Sequence, residues 1–186
     1  EINRLESSVT NESYRGTYMM VFGKATENSL FNRIADKKPW MAFFSIWYYY
    51  RLKKGWAYTM DIDTLNIAKK LGKKIHFLES IDEQIDALNG VPAERVANFL
   101  TKIDKWDKYA RTYSNYYLKG DLDGLLSFVT DFPTFCESVI DKRDPVLYER
   151  MKPHLEKGNT IAAVGITHIK GLKEMLVRDG FTLNQL

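Results

Sequence analysis

Apolar residues recur at helical spacing along most of this chain, and alternate in strand fashion in a few short places. Pro39 stands where a first helical turn tolerates proline, and Trp40, Phe43, Phe44 and Trp47 follow on one face, predicting an aromatic core helix ended by Gly55. Asp61, Ile62 and Asp63 lead into a helix through Leu65, Ile67, Ala68 and Leu71, closed by Gly72. Ser80 and Glu83 have the spacing of a capping box and predict a helix over Ile81 to Leu88. From Pro92, the positions Val96, Phe99, Leu100, Ile103, Trp106, Ala110, Tyr113 and Tyr117 predict one long helix to Leu118, stopped by Gly120. Asp121 caps a shorter helix through Leu125, Leu126 and Phe128. Further helices are predicted over Pro145 to Leu155, with Pro153 inside it, and over Lys170 to Asp179. Ser29 to Ala35 reads as a short helix as well.

Four segments read as strands: 16–22 (GTYMMVF), 74–79 (KIHFLE), 160–166 (TIAAVGI) and 181–186. Together they predict a mixed α/β domain with a central sheet and a large helical insertion at about 92–157. No internal repeat or low-complexity linker divides the 186 residues, so a single domain is expected.

The composition narrows the classes. A hydrophobic share of 45% and an aromatic share of 13% supply a sizeable core. The net charge of +3 comes from interspersed acids and bases, which argues against a dedicated nucleic-acid surface. The single cysteine, Cys136, excludes an intramolecular disulfide framework and an all-cysteine metal site, and its setting beside Phe132, Pro133 and Phe135 suits an apolar thiol. No transmembrane segment is read: the densest apolar stretch, Trp40 to Tyr50, is too short. The chain opens on Glu1 rather than methionine, so it reads as trimmed, with sequence expected upstream.

Candidate chemistry gathers at predicted strand ends. The run Thr160 to Ile166 leads into Gly165-Ile166-Thr167-His168 and then a helix, the way open α/β sheets build sites. His168 there is a metal ligand or an acid–base group, or else a capping histidine. Gly165 lets backbone or substrate approach. Glu79 ends the strand over 74–79 and, if the two strands are parallel, emerges beside His168 as a second ligand or a base; a solvated acid is the competing reading. Arg143, in the polar linker Asp141 to Asp144, clamps a carboxylate, orients Glu79, or is simply exposed. Asp61 is a helix-start acid and a substrate-side candidate. Nothing has the spacing of H-E-x-x-H, of G-x-S-x-G, or of a phosphate-binding glycine loop.

Taken in order, Lys38-Pro39-Trp40, Met60-Asp61, Ala68, Gly72-Lys73, Leu78-Glu79, Asp82-Glu83-Gln84, Tyr117, Gly120-Asp121, Arg143-Asp144, Val164-Gly165-Ile166-Thr167-His168 and Gly171 resemble the TraB/GumN family, which includes the Tiki-type peptidases. The blocks span roughly residues 37 to 186, and the family usually carries Arg-Asn where this chain has Arg143-Asp144. The resemblance implies a metal-dependent hydrolase, peptidase-like, using manganese or cobalt held by His168 and Glu79, with a peptide or small-molecule ligand. As alternatives it implies a non-enzymatic regulatory or peptide- or small-ligand-binding domain, as in pheromone signalling, and after that a haem-binding relative. An extracytoplasmic location follows from the same source. Only the second of the family's two Gly-x-x-His motifs maps here, so the other is expected upstream and this chain alone is expected to have little activity.

Overall fold

The computed structural model describes residues 37–185 other than Ala57. Among these residues every regular element is helical: α1 (Pro39–Lys53), α2 (Met60–Lys70), α3 (Ile81–Asn89), α4 (Ala93–Leu100), α5 (Trp106–Leu118), α6 (Leu122–Phe128), α7 (Asp144–Glu156) and α8 (Ile169–Arg178), with short 3-10 turns at Ile103–Lys105, Val129–Asp131 and Ile166–His168.

The expected mixed α/β fold with a central sheet is therefore wrong for the described residues. Segments 74–79 and 181–185 are irregular, and 160–165 runs without a ladder into the 3-10 turn that contains Ile166. The segment 16–22 and the short helix over 29–35 lie outside the described residues. Alternating apolar residues make a strand only where a neighbour completes the hydrogen bonds and covers the apolar face. Neither condition is met: Phe77 is 77% and Ile161 88% exposed. With no sheet flanking them among the described residues, residues 92–157 are not an insertion into one there.

Local signals place the helix ends well. Ser80 Oγ accepts from the Glu83 amide at 3.2 Å while Glu83 Oε2 accepts from the Ser80 amide at 2.7 Å, so both halves of the capping box form. Asp121 Oδ1 accepts from Gly124 N at 2.8 Å at the start of α6. Gly72 and Gly120 adopt positive φ (62° and 65°) just past α2 and α5, where a side chain would be strained.

The predicted helix over 92–118 is broken in two. A continuous helix would give the Phe99 carbonyl to the Ile103 amide. Instead that carbonyl accepts from Lys102 N at 3.1 Å and from the Trp106 indole Nε1 at 3.3 Å. The turn folds Trp106 back onto Phe99, so apolar spacing that looks continuous in sequence serves two helices.

That fold-back completes the larger core. Phe43, Ile46 and Tyr50 of α1 meet Val96 and Phe99 of α4, Trp106 and Ala110 of α5, and Val139 and Ile140 of the following turns. Trp47 lies within 6.3 Å, centroid to centroid, of Phe43, Tyr50, Phe99, Trp106 and Phe132. The aromatic face of α1 is thus core packing. A smaller core joins Leu147, Tyr148 and Met151 of α7 to Leu172 of α8, with Leu78 and Val164 against it. Tyr148 donates to Asp179 Oδ2 at 2.6 Å and fastens the far end of α8. Phe43 is fully buried and contacts four other rings. Phe43→Ala is expected to cost about 3–5 kcal/mol, measured by urea unfolding.

Candidate functional site

Between the two cores the chain passes through Arg143 and Asp144, and these neighbours gather the candidate residues. Arg143 reaches back along the sequence. Its Nε donates to Glu79 Oε2 at 3.0 Å, its Nη2 to Oε1 at 2.5 Å, and its Nη1 to the Val139 carbonyl at 3.3 Å. This is a two-pronged clamp on a carboxylate, with the Arg143 and Glu79 side chains 17% and 21% exposed. Gln84 adds a long contact to Oε1 at 3.4 Å.

A second clamp lies beside the first. Arg150, two turns along α7, donates from Nη1 to the Leu78 carbonyl at 2.9 Å and to Glu83 Oε2 at 2.8 Å, and from Nη2 to Glu83 Oε1 at 2.6 Å. Glu83 therefore caps α3 and pairs with Arg150 together. The two arginines lash the Leu78–Glu83 stretch onto α7. The Arg150 hydrogen bonds, followed by the bond from the Ser80 amide, pull the Glu83 carboxyl down to about 2.

Asp144 reaches the other way. Its Oδ1 stands 2.6 Å from His168 Nδ1, and both side chains are buried, 5% and 7% exposed. Asp144 opens α7, and its Oδ2 lies against Gly171 in the first turn of α8. The carboxylate thus sits where two helix N-termini favour negative charge. Closeness is possible only because residue 171 is glycine: a Cβ there would fall 2.0 Å from Asp144 Oδ2. His168 ends the turn Ile166–His168, whose amide returns to the Gly165 carbonyl at 3.0 Å, and α6 packs against this turn.

Asp144 as a carboxylate only accepts, so the shared proton resides on His168 Nδ1, which in a neutral imidazole leaves the lone pair on Nε2. Among the described residues Nε2 has no hydrogen-bond partner. A buried imidazole oriented through one nitrogen and open at the other has the arrangement of a general base, or of a metal ligand with a carboxylate behind it.

The other candidates fall as follows. Glu79 joins the site through Arg143, and His168 through Asp144, so the two are linked by consecutive residues rather than by a shared sheet edge. Gly165 adopts φ −63°, and a Cβ there would stand 3.5 Å from His168 Cδ2, an ordinary contact. Asp61 lies exposed in the first turn of α2, with no hydrogen bond or ion pair to the others among the described residues. Sequence reading missed Asp144 as the partner of His168: 24 positions separate them, and an acid opening a helix reads as a dipole partner. Arg150 carried no signal at all.

A sequence model of the TraB/PrgY/gumN family matches residues 12–185. The chain belongs to this family. No curated protein and no solved structure matches it. Within this TraB chain the described residues contain no group of three or more His, Cys, Asp or Glu able to hold a metal ion. A divalent ion in a catalytic site takes about three protein ligands. Here Nε2 of His168 is unengaged, and Glu79 has both oxygens on Arg143. The described residues do not by themselves fit a metal centre. No described helix is long and apolar enough to cross a membrane.

Two outcomes follow from this geometry. Gly171→Ala is expected to push the Asp144 carboxylate off its position and cost about 1–3 kcal/mol by overpacking. The accompanying change in the His168 imidazole nitrogen resonances would show the pair opening. For Glu83, a folded-state value below the unfolded one means that its stabilisation is complete above the usual carboxylate range and is lost as pH falls toward about 2. Acid unfolding of Glu83→Gln should therefore be flatter across that window than that of the parent chain.

Proposed function

We propose that this TraB chain carries a hydrolytic, peptidase-like site centred on His168. One observation supports the reading most: the imidazole is buried, fixed by Asp144 at 2.6 Å, and has Nε2 unpartnered among the described residues. In that role Nε2 takes the proton of an attacking water, and the Asp144 carboxylate stabilises the resulting imidazolium. The proton then passes to the leaving group. Arg143 holds Glu79 and with it the Leu78–Glu83 stretch, so Glu79 serves as a positioning group rather than a free base. Gly165 lies against the imidazole edge, and a Cβ there would stand 3.5 Å from His168 Cδ2. Asp61 is given no part.

Were the manganese or cobalt implied by the family resemblance bound, His168 Nε2 would be one of its ligands among the described residues. A second reading, a non-catalytic regulatory or ligand-binding domain, draws support from the same clamp: a carboxylate held at both oxygens is committed to structure.

The full-length protein assayed on quenched peptides and simple esters, with and without added manganese or cobalt, separates the two. For a hydrolase, His168→Ala is expected to lose about 100-fold or more in kcat/KM and Asp144→Asn about 10- to 100-fold, with folding intact by circular dichroism. Absence of turnover in the parent protein under all of these conditions, or undiminished turnover in His168→Ala, overturns the hydrolase and leaves the binding domain.

A further inference from the structure

Helix α2 is the one place where a described helix buries none of its own residues. Met60, Thr64, Ile67 and Leu71 recur at spacings of four, three and four, so they line a single stripe that runs from the start of α2 to its C-cap. Three of the four are long apolar side chains, exposed by 70%, 58% and 62%. Tyr117, half exposed, extends the stripe at one end by resting its hydroxyl on Met60 Sδ at 3.5 Å. Exposed apolar residues scattered singly need no explanation, but a continuous stripe along about three turns does.

The charges beside the stripe identify its occupant. Asp63 and Lys70 are seven residues apart, two helical turns, and so share one flank of the stripe. Asp61 lies on the other flank. None of Asp61, Asp63, Lys69, Lys70 or Lys73 has an ion pair among the described residues. If two copies of α2 packed stripe to stripe in parallel, the Asp63 flank of one would meet the Asp61 flank of the other, acid on acid. Packed antiparallel, each flank meets its own reverse. Asp63 then falls opposite Lys70 of the second copy, and Lys70 opposite Asp63, with Ile67 near the two-fold axis. Asp61 falls opposite the Gly72–Lys73 end. This is the self-complementary pattern that a two-fold interface requires. An anionic membrane suits the lysines, but it would press Asp61 and Asp63 against like charge.

We infer that the exposed face of α2 is a homodimer interface, occupied by α2 of a second copy of this chain in antiparallel register. Sedimentation velocity of the full chain should show a concentration-dependent dimer. Asp63→Lys alone and Lys70→Asp alone each juxtapose like charges and should weaken the dimer about tenfold or more, while the double exchange in one chain restores it. Mixing the two single variants should yield a heterodimer, a readout that general destabilisation cannot produce. Ile67→Glu should give a folded monomer. A parent chain that remains monomeric at about 100 µM overturns the inference. So does a dimer indifferent to these exchanges, or a monomer that instead binds phosphatidylserine vesicles through the same residues.

Discussion

Two consecutive residues with opposite charge, Arg143 and Asp144, hold the structure together around the site. Their Cα atoms are one peptide unit apart, yet one side chain reaches back 64 positions and the other forward 24. Arg143 fixes the stretch that carries Glu79, and Asp144 fixes the turn that carries His168. Both bonds draw on the same backbone position, the entry to α7, which is itself held by the Asp144 amide bonded to the Ile140 carbonyl at 2.9 Å. The larger aromatic core ends at Ile140 and the smaller one begins at Leu147. The polar joint thus lies between the two cores, and its charge-assisted hydrogen bonds add to the apolar contacts that Leu78, Val164 and Leu172 make in the smaller one.

Much of this arrangement could be read from the chain, and the division follows range. Features decided within four or five residues were legible: the Ser80–Glu83 box, the Asp121 cap, the glycine stops at 72 and 120, and the aromatic face of α1. The strands over 74–79 and 160–166 were not, because their existence depends on a partner that periodicity does not contain. The break between α4 and α5 was hidden for a related reason. Its cause is the indole of Trp106 competing for one carbonyl, a contact that leaves the apolar spacing undisturbed.

At the site, residue types were more legible than pairings. Glu79, Arg143 and His168 stood out because their chemistry is unusual in their settings. Of their connections, the Arg143–Glu79 clamp was one of three readings open for Arg143, whereas the Asp144–His168 bond across 24 positions leaves no local trace. The family match across residues 12–185 accounts for the order of the blocks, and the geometry accounts for why Arg143 and Gly171 belong among them.

Gly171 has a consequence for which residue can back the histidine. By letting α8 approach until its backbone touches a carboxylate, it turns the gap between α7 and α8 into a gauge for side-chain length at position 144. A two-carbon acid or its amide spans the gap and meets the imidazole. A glutamate would be driven into the α8 backbone, and an alanine would leave a buried N–H facing empty space. The partner of His168 is thus selected by the separation of two helices, a quantity set residues away from the imidazole it serves.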